Sequence, residues 1–153
     1  MTAFTPLDPD FEARVRDSFG RQTIMDLIGA RMSRVAPGEV EIELPYREDL
    51  TQQHGFFHAG VTSTIADSAA GYAAFSLFPA DASVLTVEYK INLIAPAQGE
   101  RLIAVGRVIK PGRTLTLCEF DVFGETDGTR KLCAKGLDTL MRLDGRPDMP
   151  MAG

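Results

Sequence analysis

The chain has 153 residues, enough to bury one core, and its apolar (44%) and charged (24%) fractions are those of an ordinary globular domain. Its formal net charge of −5, with no cluster of Lys and Arg, argues against a nucleic-acid partner. The N-terminus lacks the basic and then apolar regions of a signal peptide. The one apolar run of near-spanning length carries an acid and several hydroxyls, so the expectation is a cytoplasmic protein.

Residues 1–29 read as two short helices. Asp8 is placed to cap the first, Pro9 to start it, and Phe11, Val15 and Phe19 to share its apolar side up to Gly20. Thr23 is the expected cap of the second. Ile24, Leu27 and Ile28 form its apolar side and Gly29 its stop. From Ala30 the period changes to two. Residues 31–35 and 39–45 flank Ala36-Pro37-Gly38 as a hairpin, and Val40, Ile42 and Leu44 alternate with Glu39, Glu41 and Glu43. A helix follows from Val61 to about Leu77, apolar nearly all round and closed near Pro79 and Asp81.

The remainder is strand. In 84–94, Leu85, Val87, Tyr89, Ile91 and Leu93 alternate with Thr86, Glu88, Lys90 and Asn92. Segments 101–109, 114–123 and 130–142 follow after short turns, so the four strands are expected to form an antiparallel meander. Glu119, Asp121, Lys131 and Lys135 suit cross-strand pairs on a wet face. Residues 144–153, rich in Gly, Pro and Met, read as a flexible tail. Six strands and one buried helix make a single α+β domain over 1–153, with the sheet wrapped around the helix. Cys118 and Cys133 lie inside strands and read as reduced thiols; with no His pair at ligand spacing, no metal site is expected.

The chemistry concentrates in Gln52-Gln53-His54-Gly55-Phe56-Phe57-His58-Ala59-Gly60 and the helix behind it. Asp67 is the only acid of that helix, and a carboxylate there is costly to bury unless it is paired or used. Its neighbours three and four positions away are Ser63, Thr64, Ala70 and Gly71, which leave room beside it and offer no cation. Asp67 is therefore a candidate general base or nucleophile; the alternative is a structural acid bonded to hydroxyls. Ala59 and Gly60 head the helix, where free N–H groups and the macrodipole suit an oxyanion, or merely start a helix. Gln52 is placed to orient a carbonyl or water through its amide, with Gln53 as its rival. His58 reads as a loop-fixing residue rather than a base, since no Gly-x-Ser-x-Gly nucleophile sequence accompanies it.

An amide residue, a His-Gly-Gly-like turn six positions on, and an acid nine after the His occur here as Gln52, His58-Ala59-Gly60 and Asp67. Together with the strand entering Ala95-Pro96 and the Pro111-Gly112-Arg113 turn, this resembles the PaaI-type thioesterases of the hotdog fold over roughly residues 20–143. The departures are Gln52, where many members have Asn, and Ala59 for the first Gly. Ala59 still donates an N–H provided its φ is negative. The resemblance implies hydrolysis of an acyl-CoA without metal or redox cofactor. It also implies a coenzyme A path past Lys110, Gly112 and Arg113, where the Arg suits phosphate, with Thr64 and Gly71 on the helix as further substrate-binding residues.

Gly60 and Asp67 share a helix face but lie roughly 10 Å apart along the axis. A held carbonyl and its attacking water must lie within about 3 Å, so two antiparallel helices from two chains are expected to build the site. That makes the chain a homodimer, or a dimer of dimers. The other readings are a non-catalytic acyl-CoA sensor, which would not need Asp67, and a hydratase, whose His-acid sequences are absent.

Overall fold

The computed structural model describes residues 3–150. In chain order the elements are helices α1 (Phe11–Gly20) and α2 (Thr23–Ile28), strands β1 (Arg31–Ala36) and β2 (Glu39–Pro45), the long helix α3 (Ala59–Phe75), and strands β3 (Ser83–Leu93), β4 (Arg101–Lys110), β5 (Leu115–Thr126) and β6 (Thr129–Leu143). The six strands form one antiparallel sheet in the order β1-β2-β4-β5-β6-β3. The inner face of the sheet wraps α3, as expected for a hotdog fold.

The hairpin behaves as its alternation requires: Val40, Ile42 and Leu44 are fully buried and the three glutamates between them are not. Helix α3 is buried from Ile65 to Phe75 except at Asp67, against Ile42, Leu102, Phe120 and Leu140. The sheet comes close to it at Gly106, where any Cβ would collide with the backbone of Ala69 and Ala70, so only glycine fits. On the outer face, Lys135 joins Asp121 at 2.9 Å and Glu119 at 3.4 Å, and Arg107 joins Glu39 and Asp121 at 3.1 Å each. Lys131 makes no ion pair among the described residues.

Four expectations need correction. Asp8 does not cap α1, which begins three residues later. Its Oδ1 accepts from Asp10 N–H at 3.0 Å in the turn ahead of the helix and its Oδ2 from Arg14 at 2.7 Å, and Arg14 also donates to the carbonyl oxygens of Phe75 and Phe78, closing the end of α3. Gln22, not Thr23, is the residue ahead of α2, and Ile24 and Leu27 face outward while Met25 and Ile28 are buried. The meander is three strands, β4-β5-β6. Strand β3 lies beyond β6 at the sheet edge, and its seven-residue connection to β4 (94–100) passes across the end of β5 and β6. A short turn therefore did not mark neighbouring strands here.

Finally, β3 does not alternate strictly. Its pairing with β6 shifts between Thr86 and Glu88, a bulge that leaves Val87 unmatched. Leu85 and Glu88 lie on the outer face, whereas Thr86, Tyr89 and Ile91 share the face turned toward α3. Beyond β6, Asp148 is ion-paired with Arg21 at 2.9 Å, so the tail is tied to α1 at that point. Residues 151–153 lie outside the described residues.

Candidate active site

The loop ahead of α3 is held by its own backbone. Gln52 N–H donates to Phe56 O, Gly55 N–H to Gln52 O, Phe57 N–H to Ala97 O and His58 N–H to Leu50 O, each at 2.9 Å. Gly55 supplies the positive φ of 82° that this reversal needs. His58, extended at φ −63° and ψ 140°, is the N-cap: its Nδ1 accepts from Gly60 N–H at 2.8 Å. The loop-fixing role expected of His58 is the geometry observed. The same bond corrects the expectation for Gly60, whose N–H is engaged by the cap. Ala59 is the first helical residue, has no positive φ, and its N–H has no acceptor among the described residues.

Gln52 and Ala59 line a cavity of about 510 Å³ together with Phe56, His58, Leu93 and Pro96. Gln52 Oε1 accepts from His54 N–H, which leaves its amide NH2 free to point elsewhere. Asp67 lines a different cavity, of about 380 Å³, with Gly71, Tyr72, Thr86 and Leu140. Ser18, Arg21 and Gln22 of the α1–α2 corner and Asp148 of the tail form its other wall. Tyr72 OH is bonded there to Ser18 Oγ at 3.1 Å and to Gln22 Nε2 at 2.9 Å. Burial raises the Tyr72 phenol above its ordinary value, against those two bonds.

The structure thus brings Gln52, His58 and Ala59 together and sets Asp67 apart with Gly71, about 12 Å further along the helix. Between them, Gly60, Ser63, Thr64 and Asp67 form an incompletely covered stripe of α3. Thr64 Oγ1 is turned back onto Gly60 O at 2.8 Å, and Ser63 Oγ onto Ala59 O at 2.6 Å. Gly112 and Arg113 line a third cavity, of about 360 Å³, beside Leu77 and Phe78 at the opposite end of α3 from Ala59; Lys110 is exposed nearby. Within one chain these three do not join the other site residues.

Two residues of the acid's surroundings were not anticipated. Thr86 Oγ1 donates to Asp67 Oδ1 at 2.6 Å, and only the β3 bulge makes this possible. Asp138 on β6 stands behind Asp67, 1% exposed, with no hydrogen-bond partner on either carboxylate oxygen. Burial, and then the charge on Asp67, push the Asp138 carboxyl up to about 8. A signal for Asp138 was present in the sequence: it has the parity of Ala134, Gly136 and Leu140, the inward residues of its strand. For Thr86 there was none, because strict alternation puts it outside. Cys118 and Cys133 are buried free thiols, and burial raises both above the ordinary thiol range. Among the described residues, no His/Cys/Asp/Glu group is arranged to hold a metal ion, and no helix is long and apolar enough to cross a membrane.

Comparison with known proteins agrees with this architecture. The family model described as the thioesterase superfamily matches residues 54–131, which include the loop from His54 onward, α3 and Asp67, but not Gln52. Both the wrapped helix and this match define the class: the chain belongs to the thioesterase superfamily, in the hotdog fold. A solved thioesterase family protein from Silicibacter pomeroyi is 50% identical, with a TM-score of 0.86 over 88% of this chain and 99% of that one. Human acyl-coenzyme A thioesterase 13 is 31% identical over 105 residues, 68% of this chain and 73% of that protein. The PaaI protein of the Escherichia coli phenylacetic acid degradation operon shares the fold, with a TM-score of 0.81 over 92% of this chain and 99% of that one, at 15% identity.

Proposed function

We propose that the chain hydrolyses acyl-CoA thioesters to the free acid and coenzyme A, at sites that each draw on two protomers. The observation that carries this reading is the division along α3: Gln52 and Ala59 open into one cavity and Asp67 into another. Neither half can hydrolyse a thioester alone, because the carbonyl and its attacking water must nearly touch. Two copies with antiparallel α3 helices put the Ala59 end of one against the Asp67 of the other. Strand β3 supports such a pairing. It is a free edge of eleven residues with Leu85, Val87, Tyr89 and Leu93 about half exposed, the kind of edge that natural proteins cover. Edge-to-edge pairing of β3 across a two-fold axis continues the sheet and sets the two α3 helices antiparallel.

In the completed site, Ala59 N–H, at the positive end of α3, and the Gln52 amide hold the thioester oxygen. Asp67 accepts a proton from water as the water oxygen bonds to the carbonyl carbon. The tetrahedral oxyanion collapses, the C–S bond breaks, and the proton on Asp67 passes to the departing thiolate. The products are carboxylic acid and thiol, and no redox partner is required. The same antiparallel arrangement carries Arg113, Gly112 and Lys110 of one protomer toward the Ala59 end of the other, where Arg113 suits the phosphates of coenzyme A. The acyl group is expected to occupy the cavity walled by Gly71, Tyr72 and Leu140.

The test is thiol release from a broad acyl-CoA panel, read with a thiol-reactive dye. Wild type is expected to turn over part of the panel, and Asp67→Asn to lose about 100-fold or more in kcat with KM little changed. No release from any member would overturn the proposal. So would Asp67→Asn keeping most of its turnover.

A further inference from the structure

Among the described residues, Asp138 is the buried carboxylate with no hydrogen-bond partner on either oxygen, and neither the core nor the proposed reaction accounts for it. It sits mid-strand in β6, opposite Cys118 of β5 and Tyr89 of β3, and is closed over by α3 at Asp67. It is not among the residues that line the cavity Asp67 faces. Both of its oxygens lack a partner, although an unpaired buried carboxylate is among the costliest groups a core can hold. Asp67 has a donor on Oδ1, from Thr86, and none on Oδ2. The two absences fit each other if one proton lies between the two carboxyl groups.

We propose that Asp138 is a positioning residue: it remains protonated and donates a hydrogen bond to Asp67, so that Thr86 and Asp138 together fix the carboxylate that faces the cavity. The inference rests on the reading of Asp67 as the group that activates water. The pair then carries one negative charge, on the oxygen pair exposed to the cavity, and the proton stays on the more buried partner. A carboxylate held from two sides cannot swing away from the water it must polarise. The groups that face Asp138 are few: Asp67 from α3, Cys118 from β5, and Tyr89 and Thr86 from β3, with Gly136 and Leu140 beside it on β6. Across the cavity, Arg21 and Asp148 neutralise each other. The Cys118 thiol is raised by burial, so it stays neutral while Asp138 titrates.

The experiment compares wild type with Asp138→Asn, which keeps a donor but cannot ionise, and Asp138→Leu, which has no donor. In wild type, kcat is expected to fall as pH rises through about 8, where Asp138 loses the proton it donates. Asp138→Asn should lack that fall. Asp138→Leu should lose about 10- to 100-fold in kcat at neutral pH with KM nearly unchanged, the effect of removing one hydrogen bond to a charged group. Carboxyl carbon NMR supplies a readout independent of turnover. The Asp138 signal should be that of a protonated acid at neutral pH in wild type, and should titrate lower in Asp67→Asn. An ionised Asp138 at neutral pH overturns the inference, as do equal losses in Asp138→Asn and Asp138→Leu, which would mark a packing role. If Asp67→Asn retains turnover, the catalytic reading falls and so does the positioning role, while the shared proton stands on the NMR alone. If Asp67→Asn is inactive and Asp138 is ionised, only the present inference falls.

Discussion

Thr86 reaches Asp67, with Oγ1 2.6 Å from Oδ1, across a bulge that takes the strand out of its two-residue period. The hydroxyl is a donor to a partly covered carboxylate, so its loss should be felt in the chemical step. Thr86→Val is expected to lower kcat by about tenfold and Thr86→Ser to keep most of it, because Ser restores the donor. Steady-state thiol release from the best acyl-CoA measures both. Equal turnover in wild type and Thr86→Val would show the hydroxyl to be idle.

The divided site can be tested by complementation. Ala59 occupies the first helical position after an extended His58, a place where proline is well tolerated. Ala59→Pro should therefore delete one N–H and leave the helix intact. Homodimers of Ala59→Pro and of Asp67→Asn should each be nearly inactive. Their heterodimer has one site with both defects and one with neither, so about half of wild-type activity should return. Circular dichroism checks the fold, and differently tagged subunits verify exchange. A verified but inactive heterodimer would place acid and donor in the same chain.

Asp138 should also set how stability depends on pH. Its carboxyl lies at about 8 in the folded chain, against 3.8 for the free side chain. The folded state thus holds a proton that the unfolded state releases, and stability falls with rising pH over that window. Below it both states are protonated; above it both are ionised and the cost is constant. Asp138→Asn removes this term, so its Tm advantage over wild type should widen from about pH 4 to about pH 8 and then level off. Each 1 kcal/mol corresponds to about 2–4 °C at this chain length. A Tm difference independent of pH, read by calorimetry, would contradict the shift.

On the proposed function, Arg113 is the residue that meets the phosphates of coenzyme A. Arg113→Ala should raise KM for acyl-CoA, with little change for the same acyl group on a short thiol lacking the nucleotide. Added salt should weaken the discrimination, since the contact is an exposed charge on phosphate. Equal losses on both substrates would show that Arg113 serves folding or chemistry instead.

The sequence carried the elements well because each had a strong local signal. Gly29 and Gly38 stop or turn the chain with positive φ, and the Val40–Leu44 alternation is reproduced residue for residue in burial. Order within the sheet was not legible. The 94–100 connection is as short as a hairpin loop, yet it spans two intervening strands, and no local property of Ala95-Pro96-Ala97 distinguishes the two routes. The loop-to-helix spacing singled out Gln52, His58, Ala59 and Asp67 as candidates. It could not reveal that His58 occupies the Gly60 N–H, since that depends on a side-chain rotation. Thr86 was hidden because a bulge is a tertiary event, and Asp138 because a lone acid in a strand reads as a wet-face residue until its parity is counted.

The placement of Gln52 with Ala59 at one end of α3, and of Asp67 in a separate cavity along it, has a consequence in mass action. On the proposed reading the enzyme is assembled as well as folded, and it has two working sites per dimer and none per free subunit. Specific activity should then fall on dilution below the dissociation constant and recover on reconcentration, without any unfolding of the separate subunits. Any surface change that loosens the β3 edges would weaken catalysis from a distance, through the number of sites rather than the quality of each.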